Sequence, residues 1–311
     1  MKRACISIDL DSLYCYQSIF GLDVDKSDNL IYDVGLTRFV DLLDEFGFKG
    51  TMFTIGRDVY MGDNIDRLKK LVKDGHEIAN HTLNHDYRLT RLDDEILELE
   101  VGQGKKVLES ALDCEVKGFR APGYNMTNRL MASIARHGHS YDSSVFPCLP
   151  YYTTKAAVLA SMALRGKQSK SILGDPAVLA SALGPYKPRS DSYWRSGDLD
   201  IWEIPISTSP VLRFPFLGSF LIIMGEKWFP ILFRMLKSSS DCLVLEFHGM
   251  DFIDGPNDGL DEALFKQPDI TVPWDVKLKL FRKVFTALKE NYEVLPIVEC
   301  VQNMGKEGVG G

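Results

Sequence analysis

Short apolar runs alternate with amphipathic stretches along most of the chain. ACISID (residues 4–9) reads as a buried strand, and GLTRFVDLLDEFGF (35–48) carries Leu36, Phe39, Val40, Leu42, Leu43 and Phe46 at helical spacing. GTMFTIG (50–56) predicts a short strand, DNIDRLKKLVKDG (63–75) a helix with Asp near its start and Gly75 just past its end, and HEIAN (76–80) a strand. A long charged helix follows (89–112), then the strand VKGFRAP (116–122) stopped by Pro122, the helix NRLMASIARHG (128–138) and HSYDSS (139–144). LDIWEIPI (199–206), DCLVLEFH (241–248), a helix over 274–291 and YEVLPI (292–297) complete the series. Strand–helix units with continuous apolar strands predict a parallel sheet covered by helices. About seven units predict a single-domain α/β barrel over 1–311, closed or nearly so. From Phe146 to about Leu236 the rhythm blurs, and residues 147–236 read as a large insertion: a helix (151–171), a loop rich in Pro, Ser and aromatics (184–197) and an unusually apolar stretch (211–237).

The 311 residues are 45% hydrophobic and 25% charged, an ordinary globular composition, and the net charge of -7 with no basic block excludes a nucleic-acid-binding surface of the usual kind. Six cysteines lack any CxxC pair and sit mostly in apolar runs, which predicts reduced, buried thiols and a cytoplasmic setting. MKRACISIDLD passes from two basic residues into a strand without the apolar core of a signal peptide, and no run reaches the ~18 apolar residues of a membrane span.

In parallel α/β folds the chemistry gathers at the C-terminal ends of the strands. The predicted strands end in Asp9-Leu10-Asp11, in His81 with His85 four residues on, in Arg120, in Asp142 and in His248. Each has a bland reading: Asp11 as a helix cap, Arg120 as an ion-pair partner, His248 as a core histidine, His81 and His85 as a chance pair lacking the Glu of HExxH. Convergence of all five on one rim favours a site. His76, His137 and His139, beside glycines at helix ends, read as surface or capping groups. Two imidazoles and a carboxylate make a three-ligand centre with open positions, the arrangement of catalytic zinc, which Co²⁺ or Ni²⁺ also fits. Asp9 and Asp11 share a strand face, so one can bind metal while the other acts as base. With His248 as acid, the set suits metal-assisted hydrolysis of an amide or ester.

ISIDLD, NHTLNH, FRAPGY, YDSSVFP and LEFH, in this order, resemble the motifs of the polysaccharide deacetylase family (NodB-homology domain, carbohydrate esterase family 4). The resemblance runs from about Ala4 to His248. It implies a distorted (β/α)7 barrel, here with a large insertion between the fifth strand and the last motif strand, and removal of acetyl groups from sugars with one divalent ion. It assigns the metal to Asp11, His81 and His85, the base to Asp9, its ion-pair partner to Arg120, the acid to His248 and the oxyanion contact to the backbone near Gly123 or Tyr124. Asp142 is expected to tune His248. The chain departs from the family in its Asp-Leu-Asp first motif, in Gly123 within the third, and in a fourth motif without the usual Trp, whose place Trp194, Trp202 or Trp274 is expected to fill. The implied substrate is an amino-sugar-containing small molecule, glycolipid or polysaccharide. Alternatives are a deformylase or deacylase of a lipid-phosphate-linked sugar or non-sugar amide, and an inactive sugar-binding member. Lys155, Arg165, Lys167, Lys170, Lys187, Arg189 and Arg195 lie among Tyr151, Tyr152, Tyr186, Tyr193 and Trp194, which suits peripheral contact with the inner membrane face, while the bland and favoured reading makes the apolar runs FLIIM and WFPILFRML ordinary core.

Overall fold

Strand β1 (Arg3–Asp9) is the hub of the molecule, and its alternation sets what faces where. Ala4, Ile6 and Ile8 point outward into the main core, while Cys5, Ser7 and Asp9 face the lumen of the sheet. The computed structural model describes residues 2–164, 166, 172–265 and 267–308. Arg165, Lys167 and Lys170 of the expected basic cluster lie outside the described residues.

Strands β2 (Thr51–Thr54), β3 (Glu77–Asn80), β4 (Gly118–Phe119) and β5 (Tyr141–Asp142) follow β1 in spatial order. The two-residue ladder β6 (Pro188–Arg189) with β7 (Ser192–Ser196) stands apart, and β8 (Trp202–Glu203) extends the main sheet beyond β5. β9 (Cys242–His248) takes the other edge of β1 in full register, pairing Cys5 with Val244, Ser7 with Glu246 and Asp9 with His248. β10 (Glu293–Val294) pairs with Arg3 and Ala4. Among the described residues, the order β9-β1-β2-β3-β4-β5-β8 makes seven parallel strands curled toward closure, the expected distorted barrel. No regular ladder joins β8 to β9. Instead the Ser207 N–H donates to the Val244 carbonyl (3.2 Å), the Val244 N–H to Ser207 Oγ (2.7 Å), and Leu217 bridges to Glu246.

Helices α1 (Leu13–Phe20), α2 (Thr37–Phe46), α3 (Asn64–Lys73), α4 (Asp94–Leu112) and α5 (Asn128–Arg136) occupy the first half of the chain. Helix α6 (Leu149–Leu164) lies outside the core, with no buried residue along its 16 positions. After α7 (Gly218–Met224) and α8 (Phe229–Leu236), α9 (Trp274–Asn291) packs Phe281 and Phe285 against Phe247 and α2. Helix α10 (Ile297–Gly308) plugs the lower end of the lumen with Ile297, Cys300 and Val301. Its first N–H groups donate to Thr51 Oγ1 (3.0 Å) and Glu77 Oε2 (3.0 Å), so polar groups at the bottom of β2 and β3 satisfy the helix start.

The 147–236 region is two things. Its first part, α6 and the β6–β7 hairpin, stands outside the barrel, whereas β8, the 204–209 segment, α7 and α8 belong to it. The stretch at 184–197, read as a loop, carries the hairpin, because Tyr193 and Tyr186 pack inward and Tyr186 Oη donates to the Tyr193 carbonyl (2.9 Å).

Candidate active site

β1 ends by delivering Asp9 to the lumen, and the next turn brings in Asp11. Both carboxylates are buried. His81 leaves the end of β3, and His85 closes the following turn. Asp11 Oδ1 lies 3.1 Å from His81 Nε2 and 3.0 Å from His85 Nε2. His81 Nδ1 is 2.8 Å from the Arg120 carbonyl, which can only accept, so the ring proton sits on Nδ1 and the Nε2 lone pair faces Asp11.

The loop between the two histidines is wound unusually. Thr82 (φ 67°) and His85 (φ 58°) both adopt the left-handed region, which costs a residue with a side chain about 1–3 kcal/mol. The surroundings hold it there. The His85 N–H donates to Thr82 Oγ1, the Leu83 N–H to the Glu100 carbonyl, and the Asn84 N–H and side-chain amide to the Glu100 carboxylate.

Arg120, at the end of β4, is fully buried and clamped. It donates to Asp9 Oδ1 (2.6 Å), Ser7 Oγ (3.1 Å), the Ser143 carbonyl (2.8 Å) and Ser143 Oγ (2.9 Å), and its guanidinium lies 3.9 Å from the Phe53 ring centre. Across the lumen, His248 stands at the end of β9 beside Asp9. The Asp251 backbone N–H packs against its ring while the Asp251 carboxylate accepts the His248 N–H (2.9 Å), which fixes its orientation. Burial opposes its protonation, yet Glu246, Asp9 and Asp11 prevail and raise its pKa to about 9.

Asp9, Asp11, His81, His85, Arg120 and His248 thus converge in one place. Tyr124 arrives by its side chain: its hydroxyl donates to Glu246 Oε1 (2.6 Å) and lies 3.3 Å from His248 Nε2. Its backbone N–H donates to the Ala121 carbonyl (3.1 Å), so this half of the expected oxyanion contact is already engaged. The Gly123 N–H has no such partner among the described residues, and Gly123 holds φ 61°.

Asp142 does not reach His248. Its carboxyl accepts Ser144 Oγ (2.6 Å) and pairs with Glu203, while the carboxylate beside the histidine is Glu246. Asp142 therefore braces the strand end that holds Arg120, since Ser144 Oγ in turn accepts the Ala121 N–H (2.8 Å). The aromatic wall also differs from expectation. Trp194, Trp202 and Trp274 pack into other clusters, and Phe146 and Tyr151 surround Tyr124 instead. His76 and His139 are buried structural groups rather than surface ones: His76 accepts the Gly50 N–H, and His139 braces Asn80 and the Ile134 carbonyl.

Two nearby groups escaped the sequence reading, and a third, Lys155, was read only as part of the insertion's basic cluster. Glu246 lies two residues before His248 on the same strand face, a spacing that was legible. Tyr87 packs edge-on to His85 at 4.7 Å. Lys155 of α6 reaches over the site to the Gly123 carbonyl (3.3 Å) and Tyr151 Oη (3.2 Å), and burial pushes its pKa down to about 8.

The donor set fits a divalent ion. Asp11 Oδ1 and His85 Nε2 are buried and have no hydrogen-bond partner among the described residues, although both point to the same spot. Such orphaned polar atoms are costly unless an ion takes their lone pairs.

The fold and these residues define a parallel α/β barrel with a candidate metal-assisted hydrolytic centre at its strand ends. Residues 24–141 match the polysaccharide deacetylase family profile, a stretch that holds His81, His85 and Arg120. The match covers well under half of the chain, so what it gives is a likeness to that family over this stretch. It is 34% identical over 102 residues to a peptidoglycan-N-acetylglucosamine deacetylase of Bacillus cereus, a match covering 33% of this chain and 46% of that protein. It is 32% identical over 113 residues to chitin deacetylase 1 of Cryptococcus neoformans, covering 35% of this chain and 23% of that protein. The matched stretch thus spans less than half of either curated relative. The whole fold resembles the crystal structure of a putative polysaccharide deacetylase from Mycobacterium smegmatis, with a TM-score of 0.60 at 17% identity over 99% of this chain and 92% of that one.

Proposed function

We propose that this chain is a metal-dependent hydrolase that removes an N-acyl group, foremost N-acetyl, from an amino sugar or sugar conjugate. The observation that carries the reading is the Asp11–His81–His85 cluster beside the Asp9–Arg120 pair, with His248 facing it. A divalent ion held by Asp11, His81 and His85, most suitably Zn²⁺, supplies Lewis acidity toward water and the acyl carbonyl. Asp9, fixed by Arg120, takes a proton from the attacking water. His248 gives a proton to the departing amine, and Glu246 and Asp251 keep its ring aimed at the site. The Gly123 N–H is the backbone donor for the developing oxyanion. The names of the relatives, which deacetylate peptidoglycan N-acetylglucosamine and chitin, support a sugar substrate.

A second reading, deacylation or deformylation of a lipid-phosphate-linked sugar, draws on the region around α6. A trough of about 720 Å³ is lined by Phe146, Tyr151, Val158, Leu217, Phe220 and Ile223, and two of these rings pack on Tyr124. This reading implies a cytoplasmic enzyme working at the inner membrane face. Among the described residues, no helix is long and apolar enough to cross a membrane.

The test is release of acetate or formate from nucleotide-linked, lipid-linked and polymeric N-acyl amino sugars by the metal-loaded protein. Asp9→Asn is expected to keep the metal and lose kcat by about 10²–10⁴-fold, the usual worth of a general base. Asp11→Ala is expected to lose both metal and activity. A fully active Asp9→Asn overturns the role given to Asp9. No release from any class by the metal-loaded protein favours the inactive sugar-binding member instead.

A further inference from the structure

The lumen of the barrel holds a second cluster of ligand atoms at its opposite end. Cys5 lies on the lumen face of β1, Cys242 opens β9 and Cys300 comes from α10. Their three sulfurs lie within 4.8 Å of one another, and all three residues are buried. Cys242 Sγ and Cys300 Sγ are 3.1 Å apart. Cys5 is four residues below Asp9, so the cluster sits roughly 13 Å from the candidate active site along the strand. It shares no residue with that site.

Two features separate this cluster from ordinary packing. The sulfurs come from three elements far apart in the sequence, β1, β9 and α10, so nothing local in the sequence obliges them to converge. Thiolates around a zinc-sized ion stand about 2.3 Å from it and hence roughly 3.8 Å from each other, a spacing reached here by a small opening of the Cys242–Cys300 contact. A disulfide uses only two of the three sulfurs and leaves Cys5 without a part.

We propose that Cys5, Cys242 and Cys300 form a three-thiolate site for one thiophilic d¹⁰ ion of the Zn²⁺ or Cd²⁺ type, which staples α10 to β1 and β9. Binding converts three thiols to thiolates and releases three protons to solvent, with no change of oxidation state. Sulfur donors, with no fourth protein ligand in the cluster among the described residues, select a soft ion of low coordination number over Mg²⁺ or Ca²⁺.

The experiment is a Cd²⁺ titration of the reduced, metal-stripped protein, read by near-ultraviolet thiolate-to-metal charge transfer. The Asp11–His81–His85 centre has no sulfur and gives no such band. Expected are a band saturating at one ion per chain, a Tm raised by several degrees, and loss of both in Cys300→Ser and Cys5→Ser with the second, sulfur-free ion retained. Should these variants not fold, cadmium NMR of the unaltered protein decides: a resonance in the sulfur-coordinated range supports the site, and only oxygen- and nitrogen-type resonances overturn it. Absence of the band from folded, reduced protein overturns it too. So does an intact Cys242–Cys300 disulfide in the protein as isolated.

Discussion

Asp142 and Glu203 lie side by side at the ends of β5 and β8, fully buried. Two buried carboxyl groups in contact cannot both ionise cheaply. Burial, reinforced by the Asp142 charge, pushes the Glu203 carboxyl well above the usual range, so it stays protonated and donates to Asp142. The stability consequence has a definite sign. Above the unfolded pKa and below the folded one, the folded state binds the extra proton. Stability therefore falls as pH rises through that window, by up to about 1.4 kcal/mol per pH unit for one group. Glu203→Gln keeps an acceptor for the Val145 N–H and a donor toward Asp142 but cannot ionise. Urea unfolding between about pH 5 and about pH 9 is expected to show the variant gaining on the unaltered protein as pH rises, and parallel profiles would remove the shared proton from the account. The same two residues show where sequence reading fell short. Asp142 ends a strand as expected, but which histidine a carboxylate serves depends on strand neighbours that spacing does not reveal. Glu246 was within reach, because the two-residue alternation that aligned Asp9 with Asp11 also aligns Glu246 with His248.

Helix α4 acts at the scale of the element. Its Gly104 passes so close to the histidine loop that a Cβ there would stand 2.6 Å from Asn80 Oδ1 and 2.8 Å from both the Leu83 nitrogen and the Thr82 carbonyl carbon. One turn earlier, Glu100 binds the same loop through its backbone and its carboxylate. The helix thus sets the left-handed turn that carries His85. Gly104→Ala pits two effects against each other. Helix propensity favours alanine by about 0.8–1.0 kcal/mol, whereas overpacking against main chain costs about 1–3 kcal/mol. Two of the three atoms in the way are backbone, which cannot rotate aside, so the cost prevails. The variant is expected to bind Zn²⁺ about 10–100-fold more weakly, as supports behind metal ligands usually do, with a lowered Tm. Calorimetric titration checks this, and unchanged affinity removes α4 from the support of the loop. The helix itself was legible from its charged amphipathic pattern. The role of Gly104 was not, since a glycine inside a helix signals close approach without naming the neighbour.

For the molecule as a whole, the rim was the legible part and the insertion was not. Apolar strands ending in polar residues define a parallel barrel and its reactive end because backbone direction is common to all strands. The region from α6 to α8 resists such reading, since an apolar run looks the same whether it faces a core or solvent. In the structure it does both. Leu221, Ile222 and Leu232 are buried, but Ile223 is 56% exposed, Trp228 55% and Val158 53%. Phe220 lines both the trough beside Tyr124 and a second apolar groove bounded by Leu212, Met224 and Trp228, so the two are continuous across α7. The proposed reading of a lipid-linked substrate rests on this apolar surface. The hairpin cations do not add a basic face, because Lys187 pairs with Asp200, Arg189 with Asp191, and Arg195 lies on the Trp194 ring. Contact with a lipid surface, if it follows this geometry, is driven by apolar insertion rather than by attraction to anionic headgroups. Binding to vesicles is then expected to persist when salt shortens the Debye length to about 3 Å, and to need no anionic lipid. Ile223→Glu combined with Trp228→Glu, at two exposed positions, is expected to abolish co-sedimentation while leaving Tm unchanged. An unaltered protein that stays in the supernatant, or a double variant that sediments equally, returns these residues to the role of plain surface.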